Sequence, residues 1–275
     1  MTRVAIFQSC TGIDPAANAT ALITAAEQAA SGGAEILFTP EMSGLLDRDK
    51  QRAGGKFRTE EEDEVLAAVR EAARRHGIWV HLGSLALKTE TGKLANRGFV
   101  IDSNGEIRAR YDKMHLFDVD LPTGESWRES ASYDAGSKSV VVDGTPVGRL
   151  GLAICYDLRF PALFERLSEA DAQIVSIPAA FTVPTGKAHW EVLLRARAIE
   201  AGLFVVAAAQ FGEHQDGRRT YGHSLLVDPW GQIVLDMEER IGVSFADIDL
   251  AQIEDVRQRL PAISHRRLIP EAVGR

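Results

Sequence analysis

Three residues stand where an apolar run of the chain stops, and their types suit one reaction. Cys155 follows Leu150-Gly151-Leu152-Ala153-Ile154 and precedes Tyr156-Asp157-Leu158-Arg159-Phe160-Pro161, where the pattern predicts a helix. A thiol at a strand-to-helix turn points out of a sheet and feels helix N-terminal amides, which favour the thiolate and can donate to an oxyanion. The alternative is a small buried hydrophobe, and that is how Cys10 reads. Glu41, in Thr39-Pro40-Glu41-Met42, follows the strand-like Ile36-Leu37-Phe38, at the kind of strand end where open α/β sheets hold ligands. It reads either as a general base or as a solvated loop residue. Lys113, in Arg110-Tyr111-Asp112-Lys113-Met114-His115-Leu116-Phe117, also follows a strand, and is either a functional cation or a surface lysine. Together the three meet the needs of amide hydrolysis: a thiolate to attack, a carboxylate to move protons and a cation for the tetrahedral oxyanion.

Other chemistries find no support. The sequence has no G-x-G-x-x-G, P-loop, H-E-x-x-H, G-x-S-x-G or C-x-x-C, and its seven histidines are scattered without ligand spacing. A formal charge of −8, from 39 acidic against 31 basic residues, leaves no basic surface for phosphate backbones, so a nucleic-acid partner is not expected. The two cysteines lie far apart, which excludes a disulfide framework. With no apolar run of about 18 residues and a strand-like start directly after Met1, neither a membrane span nor a signal peptide is expected, and the protein reads as cytoplasmic.

The elements that must position these residues can be read from period and punctuation. After the strand Val4-Ala5-Ile6-Phe7, Asp14-Pro15 caps a helix through Leu22, Ala25 and Ala29 that Gly32-Gly33 stops. A capping box, Thr59 with Glu62, opens a helix with Val65, Leu66, Val69 and Ala72 on one face, ended by Gly77. Strand Ile78 to Leu82 follows, then a hairpin from Phe99-Val100-Ile101 through a tight Asn104-Gly105 turn to Ile107. Beyond Cys155 come strand Ile174 to Ile177, a helix from about Lys187 to Ala201, strand Leu203 to Ala208 and a hairpin turning at Asp228-Pro229-Trp230-Gly231. The tail from about Asp249 has fewer apolar positions. The chain, with 45% apolar and 25% charged residues, therefore reads as a mixed-sheet α/β protein forming one domain over residues 1–275.

Pro40-Glu41, Tyr111-Asp112-Lys113-Met114-His115-Leu116 and Gly151 to Pro161 resemble, in order, the three signatures of the nitrilase superfamily of carbon-nitrogen hydrolases. The similarity extends over nearly the whole chain, including Pro178-Ala179-Ala180-Phe181, Arg195 to Glu200 and Tyr221-Gly222-His223-Ser224. The resemblance implies a four-layer αββα sandwich whose subunits pair into a homodimer or higher homo-oligomer. It implies Glu41 as general base, Lys113 as oxyanion stabiliser, Cys155 as nucleophile and no cofactor or metal. A second glutamate that orients the lysine falls on Glu129 rather than Glu125, both being in the loop Thr123 to Ser132. The backbone N–H of Tyr156 is implied as the second oxyanion donor.

Within the superfamily, the stretch Lys113 to Ser130, Ala207-Ala208-Ala209-Gln210 and Tyr221 to Gly231 most resemble the deaminated glutathione amidase branch, which implies release of 2-oxoglutarate and Cys-Gly. The sister ω-amidases release ammonia from 2-oxoglutaramate; a carbamoylase, a nitrilase or a catalytically silent scaffold are the remaining readings. A doubly carboxylated substrate needs cationic or amide donors beside the catalytic group. Arg159, four residues past the nucleophile, is the first candidate for that role, or else a structural arginine. Thr185 and His189, in the loop after the Ile174 strand, are further substrate-binding candidates, whereas Trp190 reads as core and Arg195 and Arg197 as helix or subunit contacts.

Overall fold

The computed structural model describes residues 1–120, 124, 126–270 and 274. Two sheets share one layout. In the first, Thr2–Gln8, Ile36–Phe38 and Trp79–Lys88 run parallel, with Gly242–Ile248 antiparallel on one side and Leu94–Ile101 and Ile107–Asp112 antiparallel on the other. In the second, Gly148–Leu152, Ile174–Ser176 and Phe204–Ala207 are the parallel centre, flanked by Val140–Thr145 and by Leu225–Val227 with Ile233–Asp236. The strand-helix-strand units legible in each half are thus two copies of one topology.

Alternation along the strands builds the layers. Val4, Ile6, Ile36, Phe38 and Val100 face the second sheet and share its core with Leu150, Leu152, Ile174 and Phe204. Ala5, Phe7, Leu37, Val80, Leu82, Phe99 and Ile101 form a separate cluster with Leu22, Ala25, Val65, Leu66 and Val69 of the helices Pro15–Ser31 and Glu64–His76. The helices Pro161–Glu169 and Val183–Ala201 cover the second sheet through Leu163, Phe164, Trp190 and Leu194. The order of layers is therefore helix, sheet, sheet, helix. Strands buried on both faces read as unbroken apolar runs, which is why periodicity alone did not divide the layers.

Local punctuation in the first half differs from the sequence expectation at the second helix start and at the hairpin turn. The helix expected at Thr59 begins instead at Glu64, capped by Asp63, whose side chain accepts from Leu66 N at 2.8 Å. Thr59 and Glu62 close a turn of their own, Glu62 N reaching Thr59 O at 3.3 Å, and the shorter Asp63 sits directly before the apolar face. The Asn104-Gly105 turn is wider than a two-residue hairpin. Only Gly105 takes a positive φ, +78°, and the Asp102 carboxylate accepts from Asn104 N and Glu106 N, so five residues, Asp102 to Glu106, cross the gap.

The two sheets are joined by a polar contact inside the sandwich. Fully buried His81, on Trp79–Lys88, meets Ser176 Oγ through Nδ1 at 3.1 Å, and burial pushes its imidazole down to about 3. The unfolded chain binds a proton at this residue below about pH 6.5 while the folded chain does not, so stability rises with pH between those limits. We expect the wild type to lose up to about 1.4 kcal/mol per pH unit from this residue on acidification below about 6.5. Denaturant titrations at pH 4, 5 and 7 check it: His81→Asn should show the shallower acid loss, and equal slopes would refute the assignment.

Candidate active site

Glu41 is placed by a segment that turns sharply out of the Ile36–Phe38 strand. Met42 adopts φ +57°, its N–H donates to Ser84 Oγ at 2.9 Å, and the Glu41 carbonyl accepts from buried Gln210 Nε2 at 3.0 Å. The segment runs so close to the next strand that a Cβ on Gly83 would lie 2.2 Å from the Thr39 carbonyl oxygen and 2.4 Å from that of Pro40. Glycine is the residue that lets them approach.

Cys155 opens a single 3-10 turn, Cys155–Arg159, just past the Gly148–Leu152 strand. It adopts φ +49°, a strained conformation for a side chain with a Cβ, and its N–H is held by the Pro178 carbonyl at 2.9 Å. Tyr156 is the second residue of the turn, a position whose N–H has no intrahelical partner. The turn is fastened from behind by Arg197, whose Nε and Nη2 both donate to the Leu158 carbonyl at 3.0 and 2.8 Å. Arg195 instead holds the Gly231 carbonyl at 2.8 Å, and Trp190 is buried with Nε1 on the His223 carbonyl.

Lys113 ends the Ile107–Asp112 strand, its N–H on the Asn96 carbonyl at 2.9 Å. Asp157 ties this segment to the nucleophile turn. Fully buried, it accepts from His115 N at 2.9 Å and His115 Nδ1 at 2.7 Å on one oxygen, and from Tyr111 OH at 2.7 Å and Ile154 N at 2.9 Å on the other.

These supports bring the charged groups together. Lys113 Nζ lies 3.0 Å from Glu41 Oε1 and 2.8 and 3.1 Å from the two oxygens of Glu129. Asn96 Nδ2 bridges the same carboxylates at 2.9 and 3.2 Å, Ala180 N donates to Glu41 Oε2 at 2.9 Å, and Phe117 N donates to Glu129 Oε2 at 2.7 Å. Burial alone would drive Lys113 down, but Glu129, Glu41 and Cys155 carry it well above its ordinary value, so it stays an ammonium. For Cys155, burial and the facing Glu41 push the thiol well up, and Lys113 only partly opposes them. The resting sulfur is thus a thiol, not the thiolate expected from a helix N-terminus; one 3-10 turn in a buried setting does not offset desolvation. An adjacent base must take its proton during attack.

Glu41, Lys113, Glu129, Cys155, Tyr156 and Thr185 all line one cavity of about 650 Å³. Glu125, the alternative to Glu129, lies outside the described residues. Arg159 and His189 are not in the lining. Arg159 Nη1 meets His189 Nδ1 at 3.2 Å, and the guanidinium lies over the Phe181 and Tyr156 rings. The reason is the turn type: four residues in a 3-10 turn rotate a side chain about 120° away from the first, whereas in an α-helix they would share a face. Thr185 and His189 are also helical, since Val183–Ala201 starts four residues before the expected Lys187, with Pro184 in its first turn. Besides Lys113, the cations of the lining are instead Arg48, Lys50, Arg128, Arg218 and Arg219. Arg128 pairs with Asp120 and Arg218 with Asp216, whereas Arg48 and Arg219 are exposed and make no ion pair among the described residues.

Sequence reasoning missed Asn96 and those cations, and quoted Asp157 and Gln210 without a role. Asn96 and Gln210 are polar residues inside or just beyond strand-like runs, and the available signal was that interruption itself.

Comparison with known proteins places the chain by family and fold. A family model described as carbon-nitrogen hydrolase matches residues 3–258. A deaminated glutathione amidase from Yersinia enterocolitica is 39% identical over 99% of this chain and 96% of its own length. The crystal structure of the C. elegans NitFhit protein superposes with a TM-score of 0.89 at 41% identity, covering 97% of this chain and 65% of that longer one. An amidase from Nesterenkonia sp. AN1, crystallised as a mutant with acrylamide added at its active-site cysteine, superposes with a TM-score of 0.77 at 26% identity, over 95% of this chain and 98% of its own.

Proposed function

We propose the following for this chain, which belongs to the carbon-nitrogen hydrolase family: it hydrolyses the amide of deaminated glutathione to 2-oxoglutarate and Cys-Gly through a Cys155 thioester. The observation that carries the chemistry is Lys113 Nζ held between Glu41 and Glu129, all within 3.1 Å, in the cavity that Cys155 also lines. Glu41 takes the Cys155 proton as Sγ attacks the amide carbon, and Lys113 with the Tyr156 N–H holds the oxyanion. The three Lys113 protons meet Glu41 Oε1 and the two Glu129 oxygens, and one Glu129 contact is given up as that proton turns to the oxyanion. The C–N bond breaks as Glu41 returns the proton to the departing amine. Water, deprotonated by Glu41, then adds to the thioester, and the thiol leaves with that proton.

The substrate assignment draws on the amidase relatives and on the lining. Phe117, Trp127, Tyr156 and Phe181 offer apolar walls, while Arg48 and Arg219 add cations that make no ion pair among the described residues and can meet carboxylates. Exposed cations suit the longer arm of the substrate, the Cys-Gly leaving group with its terminal carboxylate. A coupled assay for 2-oxoglutarate release compares deaminated glutathione, 2-oxoglutaramate and a simple nitrile. We expect deaminated glutathione to be fastest, and Arg219→Ala to raise its KM by about tenfold, the loss of one charge-assisted hydrogen bond. The KM for 2-oxoglutaramate, which lacks that carboxylate, should stay within about twofold. Faster turnover of 2-oxoglutaramate by the wild type would move the assignment to ω-amidase.

One domain over residues 1–275 is supported by the core, in which Val4, Ile36 and Val100 mix with Leu150 to Val227 and Ile248. Pairing of two copies is supported by the exposed Val192, Ile199 and Trp230, and sedimentation velocity reads it directly. No helix among the described residues is long and apolar enough to cross a membrane.

A further inference from the structure

Counting lone pairs in the charged cluster shows which oxygen is free to act. A carboxylate offers four acceptor positions, about two per oxygen. Glu129 has none left: Oε1 accepts from Lys113 Nζ and Asn96 Nδ2, and Oε2 from Lys113 Nζ and Phe117 N. Glu41 Oε1 is likewise filled by Lys113 Nζ and Asn96 Nδ2. Among the described residues, Glu41 Oε2 accepts only from Ala180 N and keeps one position open. The two N–H groups of one Asn96 amide thus fill a position on each carboxylate.

The amide holds this orientation at a cost. Asn96 is buried, and its Oδ1 has no hydrogen-bond partner among the described residues. A buried orphan acceptor is destabilising, yet turning the amide over would aim Oδ1 at two carboxylates. Its backbone carbonyl also receives Lys113 N, so one strand residue fixes the lysine and both acids.

From this we infer that Asn96 is a positioning residue that makes Glu41 Oε2 the one proton acceptor among the four carboxylate oxygens, and holds that oxygen toward Cys155. Without the amide, Oε1 regains an open position, Glu41 can rotate about its carboxyl bond, and Glu129 becomes a second acceptor. The inference rests on the reading of Glu41 as general base but not on the identity of the substrate.

Two variants test it, each beside the wild type. N96D keeps the shape but replaces the donating NH₂ with an acceptor that faces Glu41 and Glu129, with Lys113 opposing and Tyr133 and Cys155 lining the same cavity. Its kcat should fall by about a hundredfold at pH 8, with KM within about threefold. The ratio of its kcat to that of the wild type should then rise on acidification to pH 6. Facing carboxylates favour the protonated form of the introduced group, whose O–H can donate as the amide did. N96A has nothing to titrate, and its ratio should be low and flat. Iodoacetamide labelling of Cys155 at pH 7, which needs no substrate, should slow about tenfold in N96A, as activation of the thiol by Glu41 weakens. An N96D enzyme within twofold of wild type at pH 8, a ratio flat with pH, or unchanged N96A labelling would each overturn the role. If the wild type labels rapidly and N96A does not, while no offered amide is turned over, the substrate proposal fails and this one stands.

Discussion

Replacing Cys155 by alanine should abolish turnover, lowering kcat by at least about 10⁴-fold, while the fold survives. The size follows from the mechanism. The resting sulfur is a buried thiol whose proton is taken by Glu41 as it attacks, so the thioester route is lost with the sulfur. Lys113 and the Tyr156 N–H would still polarise a bound carbonyl, and Glu41 would still face a water. That residual machinery sets the floor that variants lacking a nucleophile commonly retain. The fold should hold because the Cys155 backbone, not its side chain, ties the turn to Pro178, and alanine tolerates φ +49° no worse than cysteine. Two measurements decide it. Intact-protein mass spectrometry during turnover should find an acyl adduct on the wild type and none on Cys155→Ala, and the two proteins should melt within a few degrees of each other. Wild-type-like hydrolysis by the variant would remove the nucleophile.

What the sequence made legible were the three chemical residues, because each stands where an apolar strand run ends, and strand ends are where a sheet presents side chains to a cavity. Glu41, Lys113 and Cys155 are far apart in number, yet strand-end position and residue type already suggested one reaction. Their supports were not legible, for a physical reason. Asn96 and Gln210 are polar residues at or beyond strand runs, and a polar residue there reads as solvent-facing unless its partner is known. Both partners lie tens of residues away or more. Arg159 shows the opposite failure: spacing read as α-helical placed it beside the nucleophile, but the chain forms a 3-10 turn that Pro161 follows. Arg219, which does line the cavity, comes from the short Arg219–Tyr221 strand outside both main sheets. The duplicated topology was hidden because its copies share strand order and not sequence.

The other large effect should come from a residue that never touches the substrate. Asp157→Ala should lower stability by about 3 kcal/mol or more and reduce kcat even where the protein is folded. Each of its two oxygens receives two donors, and those donors come from both sides of the site: Tyr111 and His115 flank Lys113, and Ile154 precedes Cys155. Hydrogen bonds to a charged acceptor contribute about 1.5–3 kcal/mol each, and removing the acceptor strands the buried Tyr111 hydroxyl and the N–H groups of Ile154 and His115. The catalytic consequence is geometric. The Lys113 strand belongs to the first sheet and the Cys155 turn to the second, and Asp157 joins them directly. Once it is gone, the ammonium and the sulfur are related through the Glu41–Ala180 contact and the sandwich core without a direct tie between their two segments, and a misplacement on the order of 1 Å can cost about a hundredfold. Asp157→Asn separates the two effects, because one oxygen can keep two donors while the new NH₂ opposes at least one remaining N–H. It should be intermediate in denaturant midpoint, yet well below wild type in kcat per folded molecule. Should Asp157→Asn instead match the wild type in kcat while losing stability, Asp157 would be a brace for the fold alone, and the alignment of Lys113 with Cys155 would have to come from the sheets themselves.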